Sequence, residues 1–359
     1  MTQLDLSQGL SELAQALIDI ESVSGNEAAI SKSVFDALES FDHLRVIREG
    51  NAVIAMTNLD RPARVIIAGH LDTVPVAENL PSKLMHFERE QVIFGRGAVD
   101  MKGGIAVMLK LAAELVSPIY DITWIFYDNE EVAADLNGLG RIAKNHPELQ
   151  RGEFAVLCEP TSALVEGGCN GTMRVEIRTK GKAAHSARPW MGHNAIHDLA
   201  QALEILKGHQ PQTISVEGLD YRESLNAVMV SGGIATNVIP DQAVLTINYR
   251  FAPSRSGEQA KAYLDQLFPD YELTVTDIAE GARPGLDRPQ AQEFIRATKA
   301  EPKPKYGWTD VARFSQLGIP AVNYGPGDPS LAHADNENVP VGHLFDCEAG
   351  LRAWLTGQN

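Results

Sequence analysis

Two histidines and several carboxylates stand in this chain where they could grip divalent cations. His70 and Asp72 lie two residues apart in GHLDTVP, just after the apolar run 64–69. Side chains two apart on an extended segment point the same way, so Asp72 can accept the ring N–H of His70 and fix its tautomer. Asp100 lies in GRGAVDMKGG, where glycines permit close backbone approach and a helix begins. An aspartate there suits a helix cap or a carboxylate bridging two metals. The segment has neither Walker spacing nor GxGxxG, which discounts a phosphate loop. Glu130 and Glu131 follow the apolar run DITWIFY. Adjacent side chains diverge, so one of the pair can bind a metal while the other acts on water as a general base. Glu159 in CEPTS follows the run 154–158, and His333 in LAHADNENV follows the run 320–324.

Each of these residues has a plain structural explanation when taken alone: a strand-end histidine, a cap, a solvated acidic cluster, a loop histidine. Together they supply two histidines and three ligand carboxylates at strand exits of one sheet. That is enough for two metals sharing one carboxylate. Zinc accepts such nitrogen and oxygen sets, and cobalt or manganese could replace it in vitro.

The elements that must position them follow from the pattern of apolar residues. Helices are predicted at 5–20, 26–40, 103–116 and 136–146, with Ser24 as a cap for the second. Strands are predicted at 52–57, 64–69, 121–127 and 154–158. Runs that are apolar on both faces, separated by helices, indicate an α/β domain with a mostly parallel sheet flanked by helices. From 172 to 280 the order becomes strand, helix, strand, strand, helix, strand, the ferredoxin-like α+β motif. A strand at 320–324 and a helix at 341–356 return to the first domain. The expectation is a discontinuous catalytic domain, 1–168 with 284–359, into which a smaller domain, 169–283, is inserted.

Composition narrows the function classes. Lys and Arg total 31 against 47 Asp and Glu, a formal charge of −16. So acidic a chain lacks the electrostatic footprint of a nucleic-acid or anionic-membrane binder. Three cysteines without a CxxC pair support neither a disulfide framework nor a thiolate zinc site. MTQLDLSQGL has no basic segment followed by an apolar one, and no apolar run reaches the ~18–20 residues of a membrane span. The expected location is the cytoplasm.

GHLDTVP, GRGAVDMKGG, YDNEEV, CEPTS and AHADNENV occur in the order and spacing of the M20 family of dinuclear metallohydrolases, which the chain resembles over nearly its whole length. The resemblance implies two Zn2+ ions, with Co2+ as a possible substitute. His70 and Glu159 would hold one ion, Glu131 and His333 the other, and Asp100 would bridge them. Glu130 would be the general base, with a pKa raised by burial, and Asp72 the support of His70. KAAHSARPWMGHNAI resembles the family's GHSAxP block, which implies a homodimer formed through the inserted lid, with His185 reaching the active site of a partner subunit to stabilise the oxyanion. Asn237 in TNVIP and Arg250 in NYRF match lid positions that contact a substrate carboxylate.

Within the family, GGCNGTMR and WTDVARFSQLGIPAVNYGPGDPSLAHADNE resemble the actinobacterial desuccinylases. This implies a small acyl amino acid as substrate, N-succinyl-LL-2,6-diaminopimelate, with N-acetylornithine or a dipeptide as the alternative. Proteobacterial members have Arg-Arg-Gly-Ser where this chain has Cys169, Asn170, Gly171 and Thr172, and Gly-Thr-Ser-Asp where it has Gly307, Trp308, Thr309 and Asp310. Arg174, Arg178 and Arg188 are candidates to replace the missing charge.

Overall fold

The computed structural model describes residues 4–87 and 90–358. They separate into two compact units. The first takes residues up to Gly167, Gly285–Lys303 and Arg313 onward; the second takes Gly168–Pro284 and Pro304–Ala312.

The central sheet of the first unit runs in the order Arg45–Glu49, Ala52–Met56, Asp121–Tyr127, Arg64–His70, Phe154–Leu157, Ala321–Asn323, followed by short edge strands. Every residue of Asp121–Tyr127 and Phe154–Leu157 is buried, as is Arg64–His70 after its first residue. Strands covered on both faces read as continuous apolar runs, which is why they were legible. The four central strands are parallel. Their register sets His70 opposite Tyr127, and Leu157 opposite both Ala68 and Asn323. The four chains therefore leave the sheet along one edge, where open α/β sheets bind ligands.

Helix Gly103–Glu114 is buried almost all round beneath this edge. A Cβ added at Gly104 would lie 2.3 Å from the carbonyl oxygen of Cys158. Alanine normally stabilises a helix interior relative to glycine by up to ~1 kcal/mol, but overpacking of this kind costs about 1–3 kcal/mol. Gly104→Ala is expected to lower the urea midpoint rather than raise it.

A hairpin, Lys83–Phe87 with Glu90–Phe94, pairs with Asn338–Pro340 in a separate small sheet that the apolar pattern did not predict. All five residues of Lys83–Phe87 are exposed, so no buried face marked the strand.

The second unit contains strand Gly171–Lys180, helix Ala200–Gly208, strands Ser224–Gly232 and Gln242–Phe251, helix Gly257–Leu267 and strand Leu273–Ala279. The sheet order places Gln242–Phe251 and Gly171–Lys180 in the middle, antiparallel throughout. Alternate residues of the two central strands are buried, as expected of a sheet with one covered face. Met173, Val175, Ile177, Leu245 and Ile247 pack there against Leu199, Ala202 and Leu264. A hairpin, Thr213–Val216 with Leu219–Arg222, interrupts the predicted motif. Helix Ala200–Gly208 is shorter than the 192–207 expected, because a 3-10 turn, His197–Leu199, precedes it.

Residues 304–312 belong to the second unit, not to the first as the sequence implied. Polar ties hold them there. The Asn170 amide donates to the Lys305 carbonyl at 3.2 Å, the Trp308 indole to the Glu280 carbonyl at 3.0 Å, and the Cys169 thiol lies 3.8 Å from the Thr309 carbonyl.

Candidate metal centre

His70 ends its strand and is buried. Its Nδ1 is 3.0 Å from the backbone carbonyl of Asp72 and 3.5 Å from the carboxylate, so the carbonyl is the nearer acceptor. Its Nε2 is 3.0 Å from Asp100 Oδ1 and 4.0 Å from Glu159 Oε1.

Asp100 sits at a kink, its φ −120° and ψ 93° outside the helical range, ahead of the helix that Lys102 caps. It is therefore not the helix cap. The turn is tight because Gly97 adopts φ +81°, and a Cβ there would lie 2.8 Å from Thr73 Cγ2. The Asp100 carboxylate spans two histidines, its Oδ2 lying 3.3 Å from His333 Nε2.

Glu131 follows a reversal at Asn129, whose φ is +58°. Its Oε1 is 3.0 Å from His333 Nε2. His333, itself at φ +65°, is brought back from the far end of the chain. The Asp72 carboxylate holds this corner. Its Oδ1 accepts the Glu130 amide at 3.0 Å, and its Oδ2 accepts the Glu131 amide at 3.1 Å. Ligand atoms of His70, Asp100 and Glu131 all lie within 4.8 Å of one another. The structure thus brings together all five residues that the sequence singled out as ligands, with Glu130 beside them on a half-buried loop.

Electrostatics explains how so dense a set of acids is tolerated. Burial would push His70 down, but its hydrogen bonds to the Asp100 and Asp72 carboxylates prevail and hold it well above the usual imidazole value. Hydrogen bonds to Asp100 and Glu131 raise His333 to about 10. Burial opposes ionisation of Asp100, yet the two rings hold it below the usual carboxylate range. Two imidazole nitrogens and three carboxylates are a donor set suited to a pair of borderline divalent ions, and each ring must release a proton on ligation.

Sequence reasoning missed the residues beneath this set. Glu337 is almost fully buried, and its Oε1 accepts the amides of Val99 at 2.9 Å and Asp100 at 3.0 Å. Its Oε2 takes Arg96 at 2.9 Å, and Arg96 also donates to the carbonyls of Pro75 and Ala334. This pair staples the loop of Asp100 to the loop of His333, 233 residues later. An arginine between two glycines, and a glutamate beside the buried Val339, were the available signals. Removing one partner of a buried ion pair costs about 3–5 kcal/mol. Glu337→Ala is expected to lose stability of that order in urea denaturation and to bind less metal.

In the second unit, His185 pairs across a two-residue ladder with Val238, beside Asn237, whose carbonyl accepts the Ser186 amide at 2.9 Å. His185 Nδ1 accepts the Ala187 amide at 3.1 Å, which assigns the proton of the neutral ring to Nε2. Arg250 is half-buried, opposite Thr172 and Ser224. Among the described residues its guanidinium has no hydrogen bond or ion pair, whereas Arg174 pairs with Asp277 at 2.8 Å and Arg178 with Glu176 at 2.5 Å.

Residues 66–356 match the model of peptidase family M20/M25/M40. The chain belongs to that family. Family membership makes it a metal-dependent hydrolase of amide bonds, in keeping with the clustered ligands. The M20 chain is 50% identical over 357 residues to a Mycobacterium tuberculosis protein bearing the name of a succinyl-diaminopimelate desuccinylase, covering 99% of this chain and 100% of that one. A Corynebacterium glutamicum succinyl-diaminopimelate desuccinylase is 42% identical over 364 residues, covering 98% of each chain. A tripeptidase structure from Staphylococcus aureus shares the fold, with a TM-score of 0.77 at 21% identity over 99% of each chain. No helix among the described residues is long and apolar enough to cross a membrane.

Proposed function

We propose that the chain hydrolyses the amide bond of N-succinyl-LL-2,6-diaminopimelate, releasing succinate and LL-2,6-diaminopimelate, with two zinc ions as cofactors. The observation that carries this reading is the full-length identity to two relatives of that name, combined with the convergence of His70, Asp100, Glu131, Glu159 and His333. His70 and Glu159 would hold one ion, Glu131 and His333 the other, and Asp100 would bridge them. The ions would polarise the scissile carbonyl and make water acidic enough to ionise near neutral pH. Glu130 takes a proton from the attacking water and delivers it to the leaving amine as the C–N bond breaks. His185 donates its Nε2 proton as a hydrogen bond to the oxyanion, a contact typically worth ~2.7–4 kcal/mol. Arg250 and Asn237 bind a substrate carboxylate; a half-buried guanidinium with no hydrogen bond or ion pair among the described residues supports that role.

We assign the metal centre and the general base to the first unit, and dimer formation to the second. The exposed apolar residues Val228, Met229 and Val230 on edge strand Ser224–Gly232 support a homodimer, since unpaired strand edges invite pairing. Three free, buried cysteines suit the cytoplasm.

A second reading, an acyl amino acid without a further carboxylate such as N-acetylornithine, is favoured by one observation. Cys169 and Asn170 carry no charge, and the Asn170 side-chain NH2 donates to the Arg222 carbonyl at 2.9 Å. Release of succinate and of acetate from a panel of acyl amino acids, with metal content and native mass measured on the same sample, tests both. Succinate release well above the rest is expected; a clear preference for the acetyl substrate overturns the first reading.

A further inference from the structure

The serine expected to cap the second helix does something else. Helix Ala28–Glu39 begins after Glu27, with no side-chain cap, and Ser24 Oγ instead donates to Asp72 Oδ2 at 2.7 Å. We propose that Ser24 is a positioning residue for the general base, acting through Asp72. The proposal rests on Glu130 being that base.

Asp72 is fully buried, and three donors meet its carboxylate: the Ser24 hydroxyl and the amides of Glu130 and Glu131. His70 Nδ1 lies nearer the Asp72 carbonyl, at 3.0 Å, than the carboxylate, at 3.5 Å, so the shorter bonds of the carboxylate go to the loop that carries the proposed base and ligand. Ser24 and the Glu131 amide share Oδ2, while Oδ1 meets the Glu130 amide and the longer His70 contact. Hydrogen bonds to an ionised acceptor are among the stronger ones. Without the serine hydroxyl, rotation of the carboxylate is opposed by the two amides it is meant to fix and by the longer contact from His70. Any swing then moves the Glu130 backbone, and displacement by ~1 Å at a reacting group can cost about 10²-fold in rate.

Ser24 is delivered by a strap, residues 20–24, that is anchored independently of the hydroxyl. The buried Lys102 Nζ donates to the Ile20 carbonyl at 2.7 Å. The Thr73 amide donates to the Ser22 carbonyl at 2.9 Å, and the Ser24 amide to the Thr73 carbonyl at 3.1 Å. Ser22 Oγ donates to the Leu71 carbonyl at 2.7 Å. The strap is thus laid beside GHLDTVP by backbone bonds, and the Ser24 hydroxyl is the one side-chain contact from it that reaches the Asp72 carboxylate among the described residues. It also lies outside residues 66–356, the span that the family model matches.

The test compares Ser24→Ala, Ser24→Thr, Ser22→Ala and Glu130→Gln with wild type, with kinetics, metal content and Tm measured on each. Ser24→Ala is expected to lose roughly 10–100-fold in kcat, with KM within about twofold and metal content unchanged. Ser24→Thr, which keeps the hydroxyl, restores most of the rate. Ser22→Ala cuts a tie of the same strap without touching Asp72, so it lowers Tm comparably but kcat less. Equal losses of kcat in Ser22→Ala and Ser24→Ala would reduce Ser24 to a structural tie and overturn the proposal. So would a Ser24→Ala enzyme as fast as wild type, a Ser24→Thr enzyme as slow as the alanine variant, or loss of metal from Ser24→Ala. A fully active Glu130→Gln enzyme would remove the base itself, a failure distinct from any of these.

Discussion

Replacing Glu130 with glutamine is expected to lower kcat by roughly 10²–10⁴-fold while leaving metal content at the wild-type level. The substitution keeps the size of the side chain and removes only its capacity to take a proton. The backbone stays where it is, because the Glu130 amide is held by Asp72 Oδ1 at 3.0 Å whatever the side chain. Glu131, the proposed ligand, is held by the other oxygen of the same carboxylate and faces His333. Proposed base and proposed ligand therefore sit side by side on one anchored loop but answer to different partners. The prediction separates them: metal analysis reports on Glu131, and turnover reports on Glu130. Loss of metal from Glu130→Gln would make Glu130 a ligand, and unchanged turnover would deny it the role of base.

The parts of this protein that were legible in the sequence are those where burial dictates residue type. Strands such as Asp121–Tyr127 are covered on both faces and therefore read as unbroken apolar runs. Once these are placed in parallel, the polar residues at their exits must gather at one edge, and the residues that converge there could be named before any geometry was known. What escaped was decided by contacts remote in sequence. Lys83–Phe87 is a strand only because it pairs with Glu90–Phe94, and it has no buried face to betray it. Residues 304–312 look like any loop of the first unit until the Trp308 indole finds the Glu280 carbonyl. Ser24 has the local form of a helix cap, and only the fold shows the Asp72 carboxylate 2.7 Å away. The Asp72 carboxylate lies 3.5 Å from the His70 ring, but that it also accepts the two glutamate amides is announced by no local pattern. Local pattern yields which residues matter; the identity of their partners requires the chain to have closed on itself.

Asp100→Ala is expected to cost the protein more metal than the loss of any other single ligand. Each of the other four ligands serves one ion in the proposed arrangement, so Glu159→Ala should leave one ion bound. Asp100 contacts both rings, His70 through Oδ1 at 3.0 Å and His333 through Oδ2 at 3.3 Å. Metal analysis of the two variants side by side should show a clearly lower stoichiometry for Asp100→Ala. Its activity should fall beyond the ~10–100-fold typical of losing a residue that merely supports a ligand. The metal-free protein gives an independent readout. There the His333 pKa is raised to about 10 by its hydrogen bonds to Asp100 and Glu131, above the usual value of 6.5 that the unfolded chain would show. A pKa raised by folding contributes stability that is fully present below 6.5 and is lost as the pH rises towards 10. Chelator-treated wild type should accordingly lose Tm across that interval, and Asp100→Ala, which lacks the first of the two acceptors, should lose less. Equal metal content in Asp100→Ala and Glu159→Ala would mean that the aspartate does not join two sites, and the paired-ion arrangement would have to be abandoned for a single one.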